Sequence, residues 1–134
     1  MERLPEWERG TPAVLCVAGP HPIPITAYLR AGHDRLLVAL GRRRETLRRL
    51  REDSAVALLL MGPGLAFTAH GRARVIAEEL ESTDTVVAVE LVVERVQDHL
   101  ADGRTEMIDG ARWRWCADEH GEAEDAILAE LARL

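Results

Sequence analysis

The sequence contains no lysine and no asparagine, so all 17 residues counted as Lys or Arg are arginines. Without a side-chain amine, the chain cannot form a Schiff base with pyridoxal phosphate or with a carbonyl substrate. It also cannot carry the phosphate-loop motif, which places a lysine after its glycines. Any bound phosphate must therefore contact arginines, hydroxyl groups or backbone N–H groups.

Aromatic residues, long apolar runs and cysteines are also scarce. Aromatics make up 4% of the chain against 47% hydrophobic residues, so Val, Leu, Ile and Ala must build the core. No apolar run approaches the roughly 20 residues of a membrane span, and residues 1–10 do not resemble a signal peptide. Cys16 and Cys116 are too few for a disulfide framework. We expect a reduced cytoplasmic protein without membrane association, with both thiols buried, and a single domain over residues 1–134.

Positive charge is concentrated in one stretch of an acidic chain. Residues 30–51 contain eight arginines and two acids, a balance of +6, whereas the whole chain carries −6. A local cationic stretch on an acidic protein indicates a small anionic ligand better than a nucleic acid, because the overall charge repels a polyanion.

Alternating hydrophobicity predicts strands before the arginine-rich stretch. Residues 11–18 form a short apolar run, and residues 23–30 alternate with period two. Pro24 places the second strand at a sheet edge or makes its start irregular, because proline cannot donate a ladder hydrogen bond. A third strand is predicted at residues 35–40, closed by Gly41.

A helix is predicted next, over residues 42–53. Leu47 and Leu50 share one face of it, with a stripe of arginines beside them. Residues 86–96 fit both helical and strand spacing, and their many valines favour a strand. The other predicted elements are strands at 55–61 and 65–76 with a bulge at Gly71, a hairpin over 105–116 turning at Asp109-Gly110, and a helix over 122–134. Tight turns join most strands, so we predict a mostly β, antiparallel barrel or sandwich with α+β character, one inserted helix and a C-terminal helix.

The strongest candidate site is the junction from the third strand through Gly41 into the arginine-rich helix. A helix N-terminus offers free N–H groups and a favourable dipole to an anion. Arginine side chains there can bind phosphate oxygens in a bidentate manner. The alternative is a solvated basic helix whose arginines are paired with acids elsewhere in the chain.

The chain resembles the pyridoxamine 5'-phosphate oxidase-like, FMN-binding split-barrel proteins. The resemblance runs from about residue 12 to 115. The segments that show the resemblance are, in chain order, residues 20–26 (PHPIPIT), 35–40 (RLLVAL), 44–53 (RETLRRLRED), 55–60 (AVALLL) and 71–75 (GRARV). The resemblance implies a split barrel that binds FMN at a homodimer interface, with the cofactor phosphate at the strand-to-helix junction.

The family's cofactor contacts carry over to individual positions of this chain. Thr26 would reach the flavin ring, and backbone contacts would come from the strand residues Val38, Ala39, Leu40 and Gly41. The phosphate candidates are Arg42, Arg44 and Thr46, with Arg48 one turn further along the helix. Trp113, with Trp115, would form an aromatic wall supplied by the partner subunit. Many members have Lys in place of Thr46 and Asn in place of Arg49. The tryptophans could instead pack a hairpin onto the core. The resemblance implies an oxidoreductase acting on an unspecified small molecule, but not pyridoxamine phosphate oxidation itself, because the chain is acidic from Asp118 onward and lacks that enzyme's basic C-terminal segment.

Other site types have little support. No histidine pair has helical metal-ligand spacing, so no metal site is expected. His21 or His70 could donate a proton near a flavin, although a structural role is the simpler interpretation, and no catalytic residue is assigned. Two alternatives remain open: a deazaflavin-dependent reductase with the same fold, and a cofactor-free regulatory module whose arginine helix contacts a nucleic acid or an acidic protein.

Overall fold

The computed structural model describes residues 3–134, which form seven strands and two helices. The elements are β1 (Ala13–Val17), β2 (His21–Ile25), β3 (Tyr28–Gly32), β4 (Arg35–Gly41), α1 (Glu45–Glu52), β5 (Ala55–Gly62), β6 (Leu65–Ala77), β7 (Val86–Asp98) and α2 (Asp118–Leu131). Every strand pair is antiparallel, in the order β2-β1-β5-β6-β7-β4-β3. The predicted fold class is confirmed: the chain is mostly β, with an inserted helix and a C-terminal helix.

The two edges of this sheet are joined by only two residues. β2 and β3 lie at opposite ends of the strand order, yet Thr26 and Ala27 alone separate them in the chain. The sheet must therefore curve until its edges meet, which makes a half-barrel. The single strand predicted over residues 23–30 is divided here, because its first part pairs with β1 and its second part with β4. Pro24 lies in the edge strand β2, as predicted.

Hydrophobic side chains pack on both faces of β4 and of the first part of β7. Val87, Val89 and Leu91 point into the barrel core, which confirms that residues 86–96 form a strand. On the outer face, Leu37 and Ala88 pack against α2. These two faces explain the mixed hydrophobic pattern of residues 86–96, because successive side chains of one strand enter different clusters.

Gly71 is a point of close backbone approach between β6 and β7. The pairing of these strands shifts register between His70 and Gly71, so the predicted bulge is confirmed. A Cβ atom on Gly71 would lie 2.0 Å from the carbonyl oxygen of Val92. Only glycine fits this position without a backbone shift.

The predicted hairpin over residues 105–116 is wrong. This segment contains no strand and instead packs across the β5–β6 turn, where Gly64 N–H donates to the Met107 carbonyl. A Cβ atom on Gly110 would lie 2.8 Å from the Met61 carbonyl oxygen, so the Asp109-Gly110 pair serves this close packing rather than a hairpin turn. Cys116, at the end of the segment, is exposed, and Cys16 on β1 is only half-buried, so the expectation of two buried thiols is wrong.

The helix boundaries differ from the prediction at both ends. α1 begins at Glu45 rather than residue 42, because residues 42–44 form a turn in which Arg44 N–H donates to Gly41. Leu47 and Leu50 are buried on its inner face, as predicted. α2 begins at Asp118 and ends at Leu131, so Leu134 lies beyond it and is exposed. No helix within residues 3–134 has the length and apolar character needed to cross a bilayer.

Candidate functional site

The β4–α1 junction borders an open cleft of about 680 Å³. One side of the cleft consists of Gly41 and the three arginines at 42–44, and the other side of Glu79, Asp84 and Thr85. The backbone fixes the two sides relative to each other, because Arg42 N–H donates to the Thr85 carbonyl at 2.9 Å. The junction predicted from the sequence is thus an accessible concave surface.

The N-terminus of α1 has no side-chain cap. Arg44 occupies the N-cap position, and a guanidinium group has no acceptor with which to cap the first turn. Within the described residues, the N–H groups of Glu45 and Thr46 have no hydrogen-bond acceptor. Such donors are available to water or to an anionic ligand.

The three arginines of the cleft differ in what they contact. Arg42 donates from Nε to the Asp84 carbonyl at 2.9 Å and from Nη2 to the Glu78 carbonyl, so its guanidinium group binds the loop opposite. The guanidinium groups of Arg43 and Arg44 make no hydrogen bond or ion pair within residues 3–134. Arg43 and Arg44 therefore supply the uncommitted positive charge of the cleft.

The arginine stripe along α1 is neutralised by neighbouring carboxylates. Arg48 contacts Glu45 at 3.2 Å and Glu52 at 3.1 Å, and Arg49 contacts Glu45 at 3.0 Å. Arg51 binds Glu78 at 2.8 Å. The hydrogen bond from Arg49 lowers the pKa of Glu45, and the one from Arg51 lowers the pKa of Glu78. This part of the helix fits the alternative of a solvated, paired basic surface.

Two of the predicted phosphate contacts do not line the cleft. Thr46 is buried at 1% exposure on the inner face of α1. Arg48 lies one turn further on and is engaged in its two ion pairs. The resemblance to the family could not indicate this, because it assigns a chain position and not the direction of a side chain.

Thr26 and the end of β4 lie next to each other. Ala39 N–H donates to the Ala27 carbonyl at 2.9 Å, which ties β4 to the link between β2 and β3. Val38 and Leu40 point into the barrel core, whereas Ala39 is partly exposed on the outer face. The predicted contacts Thr26, Ala39 and Gly41 therefore belong to one continuous region beside the cleft.

A buried carboxylate from α2 lies against Thr26. The Thr26 hydroxyl donates to Glu124 at 3.4 Å. Burial raises the pKa of Glu124 above its usual value, with the Thr26 hydrogen bond acting in the opposite direction. The sequence pattern does not distinguish Glu124 from other helix acids, because an acid in an amphipathic helix is usually solvated.

The two tryptophans form a pair away from the cleft. Trp113 and Trp115 meet edge to face, with ring centroids 5.3 Å apart, and Trp113 Nε1 donates to the Gly10 carbonyl at 2.7 Å. Gly10 precedes β1, whereas Arg49 of α1 contacts the carbonyl of Ala18, which comes directly after β1. Within one chain, Trp113 thus lies at the opposite end of β1 from α1.

The histidines do not line the cleft. His70 lies on β6 and contacts Gln97 at 3.5 Å, and His21 begins β2 near the Glu45 carboxylate. The described part of the chain holds no group of three or more potential metal ligands among His, Cys, Asp and Glu.

Similarity to known proteins is structural. The sequence matches no protein-family profile, and no curated protein matches it. A protein from Listeria innocua, provisionally named a pyridoxamine 5'-phosphate oxidase, is 22% identical with a TM-score of 0.54 over 66% of this chain and 88% of its own. A similarly named protein from Lactobacillus delbrueckii is 17% identical with a TM-score of 0.55 over 72% of this chain and 99% of its own. A structure named F420 reductase is 13% identical with a TM-score of 0.59 over 70% of this chain and 98% of its own. Likeness at these identities establishes the fold.

Proposed function

We propose that this chain, which has the split-barrel fold of the pyridoxamine 5'-phosphate oxidase-like proteins, binds FMN and acts as a flavin-dependent oxidoreductase on a small molecule. One observation carries the proposal. The β4–α1 cleft combines an uncapped helix N-terminus with the uncommitted guanidinium groups of Arg43 and Arg44. Charge-assisted hydrogen bonds from such groups suit a terminal phosphate.

The cleft and the residues beside it would contact both the phosphate and the ring of the cofactor. Arg43 and Arg44 would hold the phosphate, with the Arg44 side chain lying over Gly41, and Ala39 and Thr26 would lie along the ring. A bound flavin accepts hydride or electrons through its own ring. The protein binds and orients it and limits the access of water, so this chemistry needs no dedicated protein acid or base.

The proposal includes a homodimer with the cofactor at its interface. Trp113 and Trp115 are partly exposed, and Trp113 lies at the opposite end of β1 from the α1 helix of its own chain, so Trp113 would serve as an aromatic wall for a flavin held by the partner subunit. Trp115 lies beside Glu124, which contacts Thr26 of the same chain. An exposed aromatic face can stack on a flavin ring. A cytoplasmic location is also proposed, on the support of the two free cysteines.

Titration with FMN and with riboflavin tests the proposal. The purified protein should show a flavin visible spectrum or should bind FMN added to the apo form. Arg43→Ala and Arg44→Ala should each weaken FMN binding about 10- to 100-fold, since a hydrogen bond to a charged group contributes about 1.5–3 kcal/mol. Riboflavin, which lacks the phosphate, should bind these variants almost as it binds the wild type. Arg95→Ala is the control, because Arg95 is exposed on β7 and does not line the cleft.

Two results would contradict the proposal. A colourless protein that binds no FMN is not a flavoprotein of this kind. Equal weakening of FMN and riboflavin would mean that the phosphate binds elsewhere.

A deazaflavin is the second candidate cofactor. The structural likeness to an F420 reductase, at a TM-score of 0.59, favours it. Fluorescence titration with F420 tests this candidate directly. The cofactor-free module is less well supported, because the outward arginines of α1 are paired with carboxylates of the same chain.

A further inference from the structure

The loop between β6 and β7 is held on one side by α2 and on the other side by the β4–α1 junction. We call residues 78–85 the acidic loop, because it contains Glu78, Glu79, Glu81 and Asp84. From α2, the buried Glu130 carboxylate accepts the N–H groups of Glu81 at 2.9 Å and Ser82 at 3.0 Å. From the β4–α1 side, Arg42 donates to two loop carbonyls and Arg51 binds the Glu78 carboxylate. These contacts hold the loop in one position.

The anchored loop gives the cleft two walls of opposite charge. Arg43 and Arg44 lie on one wall, and Glu79 and Asp84 lie on the other. Because the guanidinium group of Arg42 donates to the loop carbonyls, Arg42 holds the acidic wall in place and does not contact the ligand. A phosphate bound at the first wall is attracted by the arginines, whereas any further negative charge on the same ligand is repelled by the carboxylates of the second wall.

FMN and F420 differ in the groups attached to the phosphate. FMN ends at a phosphate monoester, so all of its negative charge can face the arginines. In F420 the phosphate is a diester that continues into a chain bearing carboxylates. Within a Debye length, repulsion between those carboxylates and a like-charged wall disfavours binding.

We propose that the acidic loop is a specificity wall that selects a terminal phosphate monoester over a phosphodiester extended by carboxylates, with Arg42 and Glu130 as the residues that position it. This inference rests on the proposed function, because it concerns the same cleft. It assigns to Arg42 a positioning role and leaves direct phosphate contact to Arg43 and Arg44.

Fluorescence titration with FMN and F420 tests the wall. The wild type should bind FMN more tightly, and Glu79→Gln/Asp84→Asn should reduce the preference about 3- to 10-fold, mainly through tighter F420 binding. Asp102→Asn/Glu106→Gln is the matched control, since it removes two exposed acids that do not line the cleft and should change the preference less than about 2-fold. A preference that the Glu79→Gln/Asp84→Asn variant leaves unchanged overturns the inference.

Amide hydrogen exchange tests the positioning residues. Arg42→Lys keeps the charge but loses the fork that reaches two carbonyls. It should therefore speed exchange at the amides of Glu81 and Ser82 about 10-fold and reduce the FMN preference, as should Glu130→Gln. Arg95→Lys, at an exposed residue of β7 that does not line the cleft, should change neither exchange nor preference. If Arg42→Lys behaves as the wild type does in both measurements, Arg42 does not position the loop.

The two proposals fail in distinguishable ways. Tighter binding of F420 than of FMN by the wild type overturns the specificity wall and leaves a flavin-type cofactor site in place. Binding of neither cofactor overturns both, and hydrogen exchange then still decides whether Arg42 and Glu130 hold the loop.

Discussion

At the scale of single residues, Glu90 and Glu124 are both buried, and their surroundings shift their pKa values in opposite directions. Glu90 lies on β7 between Arg35 at 2.7 Å and Arg74 at 2.9 Å, and the hydrogen bond from Arg35 lowers its pKa. Glu124 has a hydroxyl partner instead, and burial raises its pKa. Partner charge outweighs desolvation at the first site, and desolvation outweighs the hydrogen bond at the second.

Replacing Glu90 should make stability less dependent on pH in acid. Glu90→Gln removes a carboxylate that two arginines stabilise, and we expect it to cost about 1–3 kcal/mol of unfolding free energy at pH 7. Because the folded-state pKa is lowered, the carboxylate stabilises the fold above its unfolded pKa, and this contribution disappears as the pH falls through the folded value. Urea denaturation between pH 3 and 7 should show the two proteins converging in acid.

Glu94→Gln is the matched control for Glu90→Gln. Glu94 lies on the same strand but forms an exposed ion pair with Arg72 at 3.5 Å. Exposed pairs contribute about 0–1 kcal/mol, so its loss should be small at every pH. Equal effects of the two substitutions would mean that burial between two arginines gives Glu90 no special role.

At the scale of secondary-structure elements, the local hydrophobic pattern correctly predicted the strands whose side chains pack within the barrel. Residues 86–96 form a strand because alternate side chains enter two apolar clusters, and Pro24 lies at the sheet edge because it cannot pair on both sides. The segment 105–116 has strand-like and turn-like residues but packs across another turn, through contacts distant in sequence. No local pattern encodes that choice.

The close approach at Gly71 gives a test of the β6–β7 pairing. Gly71→Ala should destabilise the protein by about 2–3 kcal/mol, because its Cβ would overlap a backbone carbonyl that cannot rotate away. Gly103→Ala is the comparison. Gly103 has φ +70° with open space around it, so only the backbone strain of about 1 kcal/mol applies. Thermal unfolding should show the larger loss for Gly71→Ala, and a smaller loss there would mean that the strands separate at little cost.

At the scale of the whole molecule, the candidate site combines parts that are far apart in sequence. The arginine-rich junction was predictable from residues 41–44 and from the family resemblance. The partner of Arg42 was not, because the carbonyls of Glu78 and Asp84 lie 36 and 42 positions further along the chain. The sequence thus predicted the positive wall of the cleft, and only the fold shows its acidic wall.

The proposed homodimer makes the last prediction. Ile108, Trp113 and Trp115 are exposed large apolar side chains on one segment without strand pairing, and Ile108 is 77% exposed. Exposed apolar clusters of this kind mark interaction surfaces.

Light scattering should give twice the chain mass of 14.9 kDa at micromolar concentration. Ile108→Glu should raise the dimer dissociation constant at least about 100-fold, since a symmetric interface loses about 1.4 kcal/mol or more twice. Leu134→Glu, the same apolar-to-acidic change at an exposed residue outside this segment, should leave the mass unchanged. A monomer at all concentrations, with and without FMN, would show that the partner subunit does not complete the site.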